Sequence, residues 1–435
     1  MGRGGLCPTT SLCSKGSGTM SIGQLKSRGS ARRAAAVLSC ALGLLGLSGL
    51  SACKDKPDSA PAAAGSGSAS AAAEQAQAQA PSGQGPKVVP GPGHNPECFA
   101  PWKQDTKYLQ WTARKPPFRL ALVNGYVGNA WRIQMVKTAK AFAKDPAIAP
   151  LIKEFKVVST GTDVAAQLGA IEDFINQGFD GIVTLAVSPD GFDRVIRLAD
   201  KKDVILVPFD NVLDTDKVMQ VNEDQLAMGR QWGEFLDKQL GGKGKVLEVR
   251  GLQGNSVDRD RHVGFRQVME APGKSYTIVE VVGSWDDGKA QKAVADALAV
   301  HRQFDALFAQ GGSTGAVRAL LDAGHKPIPV ATEAENGVRK LIAKHHEQGM
   351  KGLSLGQSPG LAAIAMKAAL EGLQGKVMPQ MISVPIPAAD HTTLKDGESF
   401  FSQLSDNFFT PNEFPPCGVN ISGVKIMNES ESDVK

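Results

Sequence analysis

The residues with the most chemistry in this chain stand just after apolar runs. "FRLALV" leads into Asn124, Tyr126, Asn129, Trp131 and Arg132, "GIVTLAV" into Ser188, and "VILVPF" into Asp210 and Asn211. Arg261 follows "KVLEVRG", Trp285 follows "YTIVEVV", Glu333 closes "IPVATE" and Gln357 closes "GLSLGQ". Carboxylate, amide, guanidinium and indole groups thus recur at one relative place. Such groups hydrogen-bond several hydroxyls at once, and the aromatics offer flat faces against which a furanose or pyranose ring packs. Arg132 and Arg261 leave a second chemistry open, the clamping of a carboxylate or phosphate. No Ser-His-Asp or metal-ligand constellation stands at these positions, and His345 and His346 fall on a polar helical stretch. "GLQGN" lacks the spacing of a dinucleotide fingerprint. The expectation is a binding protein without catalytic residues, cofactor or metal.

The elements that must position these groups alternate along the chain. Strand-like runs begin at Phe118, Phe155, Gly181, Val204, Val218, Lys245, Tyr276, Phe304, Ile328 and Gly352. Between them lie helically spaced apolar residues such as Leu168, Ile171, Phe174 and Ile175, or Ala316, Leu320 and Leu321. Near-continuous apolar strands alternating with helices indicate parallel sheets covered on both faces. About ten strands exceed one comfortable open sheet. The expected fold is α/β with two doubly wound, Rossmann-like lobes; one large sheet is the alternative. Ligands of such sheets bind outside the carboxyl ends of the strands, which gathers the residues above at one edge.

From Phe118 to about Ile386 the chain resembles the type I periplasmic sugar-binding proteins of bacterial ABC importers, the ribose- and galactose-binding class. "GLQGNSVDRDRHVGF" (Gly251 to Phe265) follows the family pattern G-x-x-G-x-x-x-x-R-x-R-x-x-G-F, and "FDALFAQ" and Asp210 agree in spacing. The resemblance implies two lobes joined by a three-strand hinge near Asn222, Gln357 and about Pro385. It also implies a ligand clamped by Asp210, Arg261, Trp285, Glu333 and Gln357. Gly128 to Arg132 departs from the Asn-Pro-Phe-Phe type of first loop. Gly311 and Gly312 replace the Asn that commonly follows "FAQ", Asn211 stands where an Arg is usual, and Glu333 replaces an Asp. The implied function is capture of a sugar or polyol by a monomer that delivers it to an ABC transporter permease. A membrane-tethered sensory receptor acting without transport is the other reading.

The ends carry addressing signals. Residues 1–52 hold six Lys/Arg and no acid, leaving 42 basic against 44 acidic residues and a net charge near −2 downstream. That balance gives no footprint for nucleic acid. "SARRAAAVLSCALGLLGLSGLSAC" combines Arg32 and Arg33, a short apolar run and small residues before a cysteine, the pattern of an export signal. "LSAC" resembles the lipobox of bacterial lipoproteins, making Cys53 the lipidated first residue of an exported protein anchored at the periplasmic face. Met20 is an alternative start.

Residues 53–93, rich in Ala, Ser, Gly, Pro and Gln, read as a disordered lipid-anchored linker. Residues 94–117 form an N-terminal extension, 118–222 with 357–385 an N-terminal lobe, 223–356 with 386–426 a C-terminal lobe, and 427–435 a tail. Cys98 and Cys417 are the thiols left in the mature chain. An exported compartment favours their pairing over two free or separately buried thiols.

Overall fold

The computed structural model of the chain describes residues 85–431. The signal segment 1–52, the lipidation site Cys53 and the linker as far as residue 84 lie outside the described residues.

In the N-terminal lobe the run Phe118–Asn124 pairs in parallel with Ile152–Ser159 on one side and Gly181–Leu185 on the other, and Ile205–Pro208 completes the sheet. The first strand lies between the second and third. The chain therefore winds outward in both directions from it, and a crevice opens at its carboxyl end beside Asn124. Ile171, Phe174 and Ile196, from helices Val164–Asn176 and Asp193–Lys202, cover one face. Helices Ala130–Ala143 and Leu361–Leu373 cover the other. The second of these, "LAAIAMKAALEGL", is buried almost all round, which its alanines permit.

The C-terminal lobe repeats this order. Ser275–Val282, Lys243–Arg250, Ala306–Ala309, Val330–Glu333 and Gly352–Leu355 form a parallel sheet, with Ala388–Asp390 antiparallel at its edge. Met228, Trp232 and Phe265 fill one face. Ala290, Val294, Val317 and Val338 fill the other. Helix starts in both lobes carry side-chain caps: Asn129, Asp163, Asp224, Asn255 and Asp286 accept from backbone N–H groups of the second or third residue of their helices. Each such cap contributes about 1 kcal/mol.

The chain passes between lobes after Gln220–Asn222, between Gly352–Leu355 and helix Leu361–Leu373, and between Met381–Ser383 and Ala388–Asp390. These are the crossings expected near Asn222, Gln357 and Pro385. A fourth crossing was not expected. Residues 400–408 lie on the C-terminal lobe, where Asn336 Nδ2 donates to the carbonyls of Phe401, Leu404 and Ser405 and the Asn336 backbone donates to Phe408. Beyond Phe409 the chain changes sides, and Phe414, Cys417, Val419, Ile421 and Ile426 join the core of the N-terminal lobe. The assignment of all of 386–426 to the C-terminal lobe is thereby corrected. This segment has little regular secondary structure, so no periodicity in it announces which lobe its apolar residues face.

Three further boundaries change. Residues 85–93, read as linker, include the strand Lys87–Val89, paired with Tyr108–Gln110. The glycines here serve close approach, since a Cβ on Gly91 would stand 2.5 Å from the Tyr108 ring. The extension 94–117 is part of the hinge: Ala100–Pro101 pairs with Met381–Ser383, which pairs with Gln220–Asn222. The tail also docks, Lys144 pairing with Glu429 at 2.6 Å and Lys137 Nζ donating to the Met427 carbonyl. Cys98 and Cys417 form a disulfide with Cα atoms 4.7 Å apart across a sequence separation of 319 residues. Among the described residues no helix is long and apolar enough to cross a membrane.

Candidate functional site

Arg261 organises the cleft. The capped turn that precedes helix Ser256–Met269 sets it in place: Asp258 accepts from the Gly251 backbone and pairs with Arg250, fixing the first turn of the helix against its strand. Arg261 is 1% exposed. Its Nε donates to Gln225 Oε1 at 2.8 Å, and its Nη1 donates to the Gln310 carbonyl at 2.7 Å and to Glu333 Oε1 at 2.9 Å. Its Nη2 donates to Gln357 Oε1, and the guanidinium lies 5.4 Å from the Trp232 ring. Two strand ends, the start of helix Gln225–Leu240 and the hinge crossing thus converge on one cation.

Asp210 faces it from the other lobe. Its backbone is left-handed, with φ of +60°, and its N–H donates to the Val221 carbonyl. A non-glycine residue held there is strained, a feature that concentrates at ligand sites. Burial pushes the Asp210 carboxyl up to about 7 despite Arg132 and Arg261 nearby. Burial also raises Glu333, which Arg261 partly offsets, and raises Glu223 well above the carboxylate range. Arg132 is lowered by burial to about 10, with Asp210 and Tyr126 opposing the shift.

Trp285 forms the aromatic wall. It too has a left-handed backbone, φ +57°, and its indole packs closely on two glycines. A Cβ on Gly251 would stand 2.2 Å from it, and one on Gly311 would stand 2.8 Å from it and 3.0 Å from Glu333 Oε2. The missing amide after "FAQ" thus has a physical reason. Gly311 makes room for the indole.

Of the residues singled out in the sequence, Asn129, Trp131, Arg132, Asp210, Asn211, Arg261, Trp285, Glu333 and Gln357 line one pocket between the lobes, with about 370 Å³ of empty space including its open side. Asn124 and Tyr126 stand behind Arg132 instead, Asn124 Oδ1 accepting from Arg132 Nη1 at 3.1 Å and the Tyr126 ring 5.9 Å from the guanidinium. Ser188 is not brought to the pocket, because its hydroxyl accepts from the Asp190 N–H in a local turn. Val257 and Phe409 line the pocket without having been singled out. Gln225 and Gln310, which hold Arg261, were also missed. Gln310 ends a strand and was open to the same rule as its neighbours, whereas nothing in the sequence pointed to Phe409. Asp210 Oδ1, Trp285 Nε1 and Gln357 Nε2 are buried without a hydrogen-bond partner among the described residues.

Elsewhere Glu248, His262 and Glu280 approach closely enough to hold a cation, but Arg250 and Arg266 already pair with these carboxylates.

Two α/β lobes closing on a polar cleft define a solute-binding protein. A profile described as a periplasmic binding protein domain matches residues 120–377. The chain belongs to the periplasmic binding protein family, and its resemblance to the type I, ribose- and galactose-binding class is borne out. The ribose import binding protein of Haemophilus influenzae is 24% identical over 235 residues, 53% of this chain and 78% of that one. The D-ribose/D-allose-binding protein of Pseudomonas aeruginosa is 29% identical over 227 residues, covering 49% and 68%. Among solved structures, an ABC transporter solute binding protein from Thermobispora bispora superposes with TM-score 0.56 and 25% identity over 62% of this chain and 84% of that one. One from Actinobacillus succinogenes with bound D-allose shares the fold, with TM-score 0.54 and 21% identity over 63% and 98%. Members of the family bind substrates rather than convert them.

Proposed function

We propose that the protein captures one neutral sugar or related polyol in the interlobe cleft and delivers it to an ABC transporter permease. In this reading it acts as an exported monomer anchored through lipid on Cys53. The observation that carries the ligand class is the set of buried, unpartnered groups around the indole: an acceptor on Asp210 and donors on Trp285 and Gln357. Hydroxyl groups both donate and accept, so one polyol serves all three while its apolar face packs on Trp285.

An anionic ligand fits less well. Four of the five N–H donors of Arg261 are engaged by Gln225, Gln310, Glu333 and Gln357. The burial that raises Asp210, Glu333 and Glu223 also penalises any further negative charge brought into the cleft. A ligand that bridges Asp210 and Asn129 to Trp285 and Gln357 interacts better with the closed arrangement and shifts the lobes toward it. The names of the ribose- and allose-binding relatives support pentoses and hexoses as first candidates.

The test is a thermal-shift screen against pentoses, hexoses, polyols, sugar acids and nucleosides. A true ligand at about 100 times its dissociation constant adds about 2.7 kcal/mol of stability. Silence toward every neutral sugar and polyol, or a response confined to sugar acids, rejects the proposal.

A further inference from the structure

The family profile ends at residue 377, yet the pocket is completed by a residue beyond it. Phe409 is 5% exposed and sits where the fourth crossing leaves one lobe for the other. Both lobes hold it. From the N-terminal lobe, the Gln134 side chain accepts from the Phe409 N–H at 2.8 Å and donates to its carbonyl at 3.0 Å. From the C-terminal lobe, Glu335 bridges to Phe409 through the backbone, the Asn336 N–H donates to Phe408, and the Thr410 N–H donates to Ala334. The ring is therefore placed from both sides of the cleft at once.

Its position divides two spaces. The inner pocket that holds Arg261, Asp210 and Glu333 shares Asn129, Trp285 and Phe409 with an outer recess that has about 620 Å³ of empty space including its open side, and whose other walls include Asp286, Asp287, Glu335 and Asn407. These three shared side chains form the partition. Asn129 is committed as a helix cap and Trp285 is wedged on two glycines, so Phe409 alone of the three comes from a segment outside the family core.

Resting on the sugar-binding reading, we infer that Phe409 is a specificity-determining residue: it closes the pocket around a single unsubstituted sugar ring and rejects glycosides whose aglycone would have to pass into the outer recess. For a ring held between Asp210 and Arg261, an O-linked substituent directed at the strap formed by the fourth crossing meets the phenyl group of Phe409. Removing that group joins the two spaces and gives the substituent somewhere to go. The same ring packs on the bare sugar, so its loss weakens the smaller ligand.

The experiment is calorimetric titration of the full chain, wild type and Phe409→Ala, with D-ribose, D-allose and the methyl glycoside of each. Wild type is expected to bind a bare sugar at least about a hundredfold more tightly than its glycoside, a ratio equal to about 2.7 kcal/mol. Phe409→Ala is expected to lower that ratio at least about tenfold, both by weakening the bare sugar and by admitting the glycoside. Phe409→Leu keeps an apolar side chain in the strap and should lower the ratio in the same direction; it decides the matter if the alanine variant does not fold. A wild type that binds bare sugar, with a ratio unchanged in the variants, overturns this inference and leaves the sugar reading standing. The same titration is run with whichever neutral sugar the thermal-shift screen returns and its methyl glycoside; a wild type that responds to no neutral sugar or polyol in that screen overturns both.

Discussion

Trp131 Nε1 donates to the backbone carbonyl of Gln357 at 2.8 Å, joining the first helix of one lobe to the crossing that leads out of the other. The side chain of the same Gln357 accepts from Arg261. One residue of the crossing thus answers to both lobes, through its backbone on one side and its amide on the other.

Replacing Trp131 with Phe keeps an aromatic wall but leaves that buried carbonyl unpaired. The expected cost is about 1–3 kcal/mol, read by chemical denaturation, with weaker sugar binding in calorimetry. A variant as stable as wild type would show that the indole N–H contributes nothing.

Arg261→Ala strands Glu333, whose ionised form the guanidinium supports. We expect no measurable sugar binding and a loss of about 3–5 kcal/mol near pH 8. Burial already raises Glu333, and without Arg261 it rises further. The loss should therefore be smaller at pH 5 than at pH 8, because lower pH favours the protonated form of Glu333. An equal loss at both pH values would rule out Glu333 as the stranded group.

Asp210 gives ligand-free stability a definite pH slope. Its carboxyl titrates at about 7 in the fold against 3.8 in the unfolded chain. The fold therefore binds the proton more tightly than the unfolded chain does. Stability is fully present below about pH 4 and falls as pH rises toward about 7, by at most about 4 kcal/mol from this group. Thermal melts of the ligand-free protein between pH 5 and pH 8 should show the decline, and Asp210→Asn should flatten it. A variant with the wild-type slope would assign the decline to other carboxyls.

Gly311→Asn restores the amide common in the family at a place this chain has given to an indole. The new Cβ would meet Trp285 Cδ1 at 2.8 Å. Overpacking of this kind costs about 1–3 kcal/mol, and sugar affinity should fall as Trp285 is displaced, visible as a change in tryptophan fluorescence. Unchanged affinity and emission would mean that the indole has another resting place.

Reducing the Cys98–Cys417 bridge, or replacing both cysteines with serine, releases a very long loop. The expected loss is about 2–5 kcal/mol, read as a lower denaturation midpoint in reductant. Sugar affinity should change much less, because the bridge lies outside the pocket. A bridge that can be removed at no cost in stability would show that strand pairing alone holds the two extensions.

Most of the lobes was legible in the sequence because each strand is a short apolar run and each site residue follows one. Asp210, Trp285, Glu333 and Gln357 could be found by that rule, since the topology of a doubly wound sheet sends every strand end to the same edge, whereas Arg261, inside helix Ser256–Met269, was marked by the family pattern around it. Ser188 obeyed the rule and still missed the pocket, because a serine after a strand satisfies a local turn as readily as a ligand. Phe409 was invisible for the opposite reason. It follows no strand, and its place depends on the Gln134 side chain bonding its backbone and on the Thr410 N–H donating to the Ala334 carbonyl, partners far away in the chain. The strand Lys87–Val89 was hidden by its Gly- and Pro-rich surroundings, whose meaning lies in the Tyr108 ring they pass over.

The disulfide and the two extensions have a mechanical consequence. The described chain enters through a strand paired with Tyr108–Gln110 and through Ala100–Pro101 in the hinge sheet, and Cys417 and Ile426 near its other end lie in the core of the N-terminal lobe. Tension applied at either terminus is delivered to that lobe and shunted through the sulfur bridge between its two extensions. One covalent tie thus clasps two stretches 319 residues apart onto the same lobe.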